Sequence, residues 1–502
     1  MIETKSTVIF LTCIVISSIE SARILCVFPT PSISHQVLFR PLTLELTKRG
    51  HEVTVIKTDP LYPKGHTLKN YTEIDVHDVS YSRWNKRLAN IDKELRGKAD
   101  ILEILYNELT SILEDQIKTK HVQNILSYNR DYFDLLLAES CSRPALGLSN
   151  VFNVPVIQIS SLGSGMNNQA TMGASSHPLL YPSAIRKRVY NLTIWEKLTE
   201  LKEEFKQQMI LKSTESYDDK VLKEIFGPDI PSLKQLYKNV QMLFLNVHPI
   251  WDNNRPVPPG VIYLGGLHQN PEKELPKDLK SYLDSSRNGV IYFSLGTNVK
   301  TSNVPLEKLQ IITKVFSQLP YDILLKWDDD ELPGRSENIK ISKWLPQSDL
   351  LRHPKIKLFI TQGGLQSTDE AITAGVPLIG IPMFVDQWYN ADKYRQLKIG
   401  LRLDIELLSE DTFRDAIKTV LNDKSYRDNI IKLRNVMHDQ PQSPLDRAVW
   451  WTEYVLRHGG ASHLRSPSAS ISWAEYLELE LVFTVITIAL NSSMIVNELN
   501  II

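Results

Sequence analysis

Cysteine is scarce in this chain, three in 502 residues, and Cys13 falls in an apolar N-terminal run of the kind removed on secretion. Cys26 and Cys141 alone make no disulfide framework. Both sit in apolar, strand-like stretches, where a buried free thiol is the ordinary occupant. An excess of either charge is also missing: 57 Lys and Arg stand against 58 Asp and Glu, a formal net charge of -1, which excludes the basic footprint of a nucleic-acid binder. With 42% hydrophobic and 23% charged residues, the chain is neither disordered nor wholly membrane-embedded, and its length suits two ordinary domains. Isolated His and Asp residues lack ligand spacing, so no metal is expected. In Ser160 to Gln169, Gly163 and Gly165 lack the third glycine and the following helix of a dinucleotide fingerprint, which argues against a nicotinamide-dependent oxidoreductase and leaves a loop.

The two ends carry processing signals. Residues 1–22 hold Lys5, an apolar run from Thr7 to Ser18, then Ser21 and Ala22, the order of a secretory signal peptide, with Glu20 blurring the cleavage site. Asn70-Tyr71-Thr72 and Asn191-Leu192-Thr193 are glycosylation acceptors that suit a lumenal chain. In the tail, residues 461–502, the apolar run Leu481 to Leu490 is shorter than the ~20 residues a membrane span needs, and Asn491, Ser492 and Ser493 interrupt it. No Lys or Arg follows Arg465, so a positively charged anchor is lacking. An interfacial segment, a marginal span and a lumenal tail are the competing readings.

Between the ends the rhythm is strand, helix, strand. Arg23 to Phe28 reads as a strand, followed by a loop with His35, a helix from Val37 to Arg49 stopped by Gly50, and a second strand from His51 to Lys57. Such a unit implies a parallel sheet, and ligands gather at the carboxyl ends of its strands. Ile101 to Ile117 has the spacing of a core helix. The strand Phe133 to Ala138 ends at Glu139. Pro178 to Phe226 is polar and helical, with a basic knot at Arg186, Lys187 and Arg188. Proline and glycine concentrate at about 246–260, the expected linker, after which the rhythm restarts. Strands are expected at Gly289 to Leu295 and Ile323 to Trp327, with a helix after Pro305. The strand Leu358 to Thr361 then enters the turn Gln362, Gly363, Gly364, and a helix follows, stopped by Gly375 and Pro377. A glycine turn opening a helix offers unpaired backbone N–H groups to an anion, which suits a diphosphate. Pro444 to Arg457 is a last helix with a large apolar face carrying Trp450 and Trp451.

The span from Trp344 to Asn390, W-L-P-Q through T-Q-G-G to D-Q-W-Y-N, resembles the donor-binding signature of the UDP-glycosyltransferases, in wording closest to arthropod members, and the resemblance covers nearly the whole chain. It implies an α/β fold of the GT-B type, two Rossmann-like parallel-sheet domains facing across a cleft. Residues 23–245 would bind the acceptor, residues 246–460 the UDP-sugar, and the helix at 444–457 would cross back to the first domain. By resemblance Trp344 stacks on uracil, Gln347 lies near the ribose, and Glu370 accepts the ribose hydroxyls. Asp386 and Gln387 hold the sugar, and Thr297 with Gly363 and Gly364 lies at the phosphates. His35 is the general base and Glu139 its orienting carboxylate, where the family often has Asp. Gln362 departs from the family's His and donates to phosphate only as a neutral amide.

The implied activity is inverting transfer of a sugar, glucose first among candidates, from UDP to a hydroxyl of a small lipophilic acceptor, as in detoxification. The UDP-sugar is a substrate, with no permanently bound cofactor. The implied location is the endoplasmic reticulum lumen, membrane-associated or soluble, and a homo-oligomer is compatible with the chain. Gln362, Glu139 and the defective anchor together motivate the alternative, a weak or silent paralogue that acts by binding.

Overall fold

The computed structural model describes residues 21–63, 68–96, 100–163, 168–174, 177–297 and 304–499; of the signal peptide expected at residues 1–22, residues 1–20 lie outside them. Two wholly parallel sheets organise the chain. The first contains β1 (Arg23–Phe28), β2 (Glu52–Lys57), β3 (Tyr71–Asp75), β4 (Leu135–Glu139), β5 (Val156–Ser160), β6 (Val240–Leu245) and β7 (Val261–Tyr263). Their order is β3-β2-β1-β4-β5-β6-β7. The second contains β8 (Val290–Ser294), β9 (Asp322–Lys326), β10 (Ile339–Ser342), β11 (Ile356–Thr361), β12 (Leu378–Gly380) and β13 (Gly400–Arg402), in the order β10-β9-β8-β11-β12-β13. Each sheet grows outward from its first strand in one direction and then in the other. The reversal falls between β1 and β4 in the first and between β8 and β11 in the second, and at such a switch point the connections diverge and leave a crevice.

Continuous apolar runs explain why these strands are central: β1, β4 and β6 are buried on both faces, with Leu25, Leu136 and Leu243 fully enclosed, as helices on both sides of a parallel sheet require. The helices that matter for the site are α1 (Ile33–Lys48), α2 (His77–Arg96), α3 (Ile101–Ile117), α4 (Ile194–Phe226), α5 (Leu365–Ala374), α6 (Gln387–Gln396), α7 (Pro444–His458) and α8 (Leu479–Leu499). In α7, Ala448, Val449 and Val455 join the core formed by Leu38, Phe39 and Leu42 of α1. Its Glu453 receives Arg49 at 3.3 Å, so the last long helix of the folded body packs on the first domain.

Three local expectations change. His35 lies in the first turn of α1 and not in a loop, because Ser32 is extended and its carbonyl accepts from the His35 and Gln36 N–H groups, as an N-cap does. The first sheet acquires β7 beyond the Pro/Gly-rich stretch, so it reaches past residue 245 and past the expected linker at 246–260. The segment before α4 is irregular, and the helix starts only at Ile194, where Thr193 and Glu196 form a capping box. In the tail, α8 exposes Leu481, Phe483, Val485, Ile486, Ile488 and Leu490. Among the described residues no helix is long and apolar enough to cross a membrane.

Candidate active site

Both switch points carry the residues that the sequence singles out. At the first, α1 follows β1 and brings His35 beside the end of β4. His35 Nδ1 is 2.5 Å from Glu139 Oε1, and Glu139 Oε2 accepts the Thr30 N–H at 3.2 Å. Both carboxylate oxygens are therefore engaged inside a fully buried side chain, which fixes the ring in the tautomer with hydrogen on Nδ1 and leaves the Nε2 lone pair for chemistry. The extra methylene of Glu does not prevent the contact. Cys141 joins His35 and Glu139 within 4.8 Å, but burial pushes its thiol well above the usual range. A neutral thiol beside a carboxylate already bonded to imidazole makes a poor metal centre. Cys26 is likewise free and buried.

A residue that sequence reasoning left unassigned completes this corner. Ser161, just past β5, places Oγ 2.9 Å from His35 Nδ1 and 3.4 Å from Nε2. Nothing in its local sequence distinguishes it from Ser160, whose hydroxyl instead bonds its own loop at the Gly163 carbonyl.

The second switch point is built from the β8 and β11 ends. Gly296, at φ +78°, lets the chain pass so close to Gln362 that an added Cβ would lie within 2.2 Å of the Gln362 amide nitrogen. Gln362 is buried and its Oε1 has no hydrogen-bond partner among the described residues. Half a turn of that amide exchanges its oxygen and nitrogen, so it can present an N–H to a phosphate oxygen. Gly363 is also left-handed, at φ +91°, and Gly364 caps α5, which directs the first N–H groups of the helix into the cleft. Thr297 is exposed at the rim of the β8 turn, and Trp344, beyond β10, is 61% exposed with its face open.

Gln347 and Glu370 are brought together: Gln347 Nε2 donates to Glu370 Oε2 at 2.7 Å and to Ser367 Oγ at 2.9 Å. Tyr292 Oη donates in turn to Gln347 Oε1 at 3.0 Å. Burial raises the Glu370 carboxyl to about 7 against the lowering effect of Gln347. A neighbouring diol, donating to its ionised form, would restore the charge. Asp386 is raised to about 6, chiefly by burial. Its lowering partners include the Asn390 amide, the Leu365 N–H at the head of α5 and the charge of His35. Asp386, in the second domain, is thus within electrostatic reach of His35 in the first. Asn390 Nδ2 holds it at 2.8 Å and also donates to the Gly363 carbonyl at 2.8 Å. The spacing of four residues on a helix could have revealed Asn390.

Gln387 Oε1 accepts from Met383 N (2.8 Å) and Phe384 N (2.7 Å), which leaves its amide hydrogens for a ligand. Between them Val385 adopts φ +46°, a costly conformation for a β-branched residue. Phe384 and Val385 pack against Trp84 of α2 and Leu105 of α3 in the first domain, and that seat holds the strained turn in place.

Two parallel sheets with a crevice at each switch point, one with an imidazole–carboxylate pair and one with a glycine turn opening a helix beside a buried carboxylate, define the GT-B architecture. The family model described as "UDP-glucoronosyl and UDP-glucosyl transferase" matches residues 23–500, and the chain belongs to that family, the UDP-glycosyltransferases. It is 37% identical over 486 residues to the ecdysteroid UDP-glucosyltransferase of Lymantria dispar multicapsid nuclear polyhedrosis virus, covering 95% of both chains. It is 33% identical over 492 residues to the UDP-glycosyltransferase UGT5 of Dactylopius coccus, covering 96% of this chain and 92% of the other. Among solved structures, a UDP-glucose:anthocyanidin 3-O-glucosyltransferase in complex with UDP shares the fold, with a TM-score of 0.60, 17% identity and coverage of 87% of this chain and 99% of the other. A UDP-sugar is therefore the donor, and the protein is an enzyme of sugar transfer.

Proposed function

We propose that this enzyme moves glucose from UDP-glucose to a hydroxyl of a small lipophilic acceptor of the ecdysteroid kind, with inversion. The relatives' names supply glucose and the acceptor class. Asp386 agrees, since a carboxylate at the sugar favours hydroxyls over the carboxylate of a glucuronyl group. The observation that carries the reading is the 2.5 Å contact of His35 Nδ1 with Glu139. His35 Nε2 takes the acceptor proton as the oxygen bonds to the anomeric carbon, and the bond from that carbon to the β-phosphate oxygen breaks on the far face. Glu139 stabilises the imidazolium that forms. The head of α5, Gln362 and Thr297 take up charge on the leaving UDP, while Trp344, Gln347 and Glu370 hold the nucleoside. With the His35–Glu139 and Gln347–Glu370 pairs both assembled, catalysis is favoured over a silent binding role.

A panel of UDP-glucose, UDP-glucuronate, UDP-galactose and UDP-N-acetylglucosamine, each with an ecdysteroid and with a simple phenol, tests this. Glucose transfer with inverted anomeric configuration is expected, and no transfer from any donor despite UDP binding would leave the silent reading. We further propose entry into the endoplasmic reticulum lumen through residues 1–22, with α8 contacting the membrane more loosely than a full span. Alkaline carbonate should then release part of the protein from microsomes, and complete retention in the pellet contradicts it.

A further inference from the structure

We propose that Gln366 of the donor domain and Ser161 of the acceptor domain form a latch that positions the catalytic imidazole, so that the base is aligned only when the two domains are in register. The inference rests on the reading of His35 as the base. Gln366 stands in the first turn of α5, beside the phosphate cradle, yet its side chain reaches across the cleft: Nε2 donates to the Ser161 carbonyl at 3.1 Å. Ser161 is fully buried, and its Oγ lies within 3.4 Å of both ring nitrogens of His35.

Nδ1 carries one hydrogen and has two oxygens near it, Glu139 Oε1 at 2.5 Å and Ser161 Oγ at 2.9 Å. The carboxylate takes that hydrogen, because a charge-assisted bond is roughly twice as strong as a neutral one. The Ser161 oxygen then packs against the imidazole, 2.9 Å from Nδ1 and 3.4 Å from Nε2. Glu139 alone allows the ring to swing about the Nδ1 contact, and Ser161 bounds that swing. The Ser161 backbone is in turn held from the other domain, so its position follows α5 and whatever α5 binds. Both are positioning residues, acting through His35.

Because Gln366 holds the Ser161 backbone and Ser161 holds the ring by its hydroxyl, the two should be energetically coupled. Steady-state kinetics with UDP-glucose varied at saturating acceptor should show Gln366→Ala lowering kcat about tenfold, with donor KM changed less than about threefold. Ser161→Ala should lower kcat similarly and displace the acid limb of the kcat–pH profile, and Ser161→Thr, which keeps the hydroxyl, should return that limb toward wild type. In the double variant the losses should not multiply. Fully additive losses, or single variants with unchanged pH profiles, overturn the latch.

An arm independent of turnover is hydrogen–deuterium exchange of the unliganded protein. Gln366→Ala should speed exchange by about threefold or more in peptides covering 156–163 while leaving β8 and β11 unchanged. Equal exchange in the two proteins contradicts the latch even if sugar transfer fails altogether, whereas faster exchange with no transfer would leave the latch and refute the catalytic reading.

Discussion

The two sheets share a topology and a switch point, yet they prepare their crevices in opposite ways. In the first, the imidazole–carboxylate pair is held by the protein: Glu139 is engaged through both oxygens and the imidazole is bounded by Glu139 and Ser161. In the second, Gln362 Oε1 has no partner among the described residues, Trp344 lies open, and burial holds Glu370 and Asp386 at raised values. The proposed base is preorganised by the protein, while the proposed donor crevice leaves polar capacity for its ligand to satisfy. A group that must act in the transition state gains from rigidity before the substrate arrives. A group that binds a charged, hydroxyl-rich ligand gains from withholding its hydrogen bonds until then.

The largest effect that could break this contrast is at His35. His35→Ala should cost two to four orders of magnitude in kcat, and full activity in stopped assays would remove the residue from the mechanism. At its partner, Glu139→Gln should be slower than Glu139→Asp, since only the latter keeps a charge for the imidazolium; equal, undiminished rates would show that no carboxylate works there.

Glu370 sharpens the contrast from the other side. With its carboxyl near 7, and a diol preferring the ionised form, UDP affinity should weaken as pH falls below 7, approaching tenfold per unit. Glu370→Gln should raise the donor KM about tenfold at pH 8, the worth of a hydrogen bond to a charged group, and flatten that dependence. Gln362→His should act oppositely, raising kcat/KM for UDP-glucose by up to about tenfold through a charge-assisted bond to phosphate. The ratio of variant to wild type should be greatest near pH 5.5, where imidazole is protonated. No gain at any pH between 5.5 and 8 would mean that Gln362 is adapted to its seat against Gly296.

The smallest effect concerns stability. Asp369, beside Glu370 but turned toward the Gly266 backbone, is buried, carries an unpartnered Oδ2 and is raised to about 7, mainly by burial. Unfolded, an Asp titrates near ~4. Between those values the folded state holds the extra proton, so stability is lost as pH rises from 4 to 7 and stays low above. Asp369→Asn should therefore stabilise the unliganded protein by ~1 kcal/mol at pH 8 and make little difference near pH 4. Thermal unfolding at both pH values checks this, and an equal shift at both would contradict it.

Much of the scaffold is legible in the sequence because parallel strands buried on both faces read as unbroken apolar runs, as in Leu358 to Ile360, and because glycine turns mark their ends. Pro31 and Ser32 read as loop residues in the sequence, which hides the helical position of His35, because Ser32 acts as an N-cap only through its backbone carbonyl. Strand β7 was hidden by the prolines before it, and Pro178 and Pro182 broke a helix that charge patterning alone would have extended. Gln347, Glu370, Asp386 and Gln387 were legible because they share one compact signature. Ser161 and Gln366 were not, since their significance lies in a contact between residues far apart in the chain and in different domains, and no local spacing encodes it.

The division of labour between the two crevices is tested most directly by titrating UDP calorimetrically into wild type, His35→Ala and Glu370→Gln at pH 8. The affinity of His35→Ala should match wild type within about twofold while its transfer activity is lost, and that of Glu370→Gln should fall about tenfold. Loss of UDP affinity in His35→Ala comparable to that in Glu370→Gln would place the imidazole in the donor site and contradict a base preorganised apart from it.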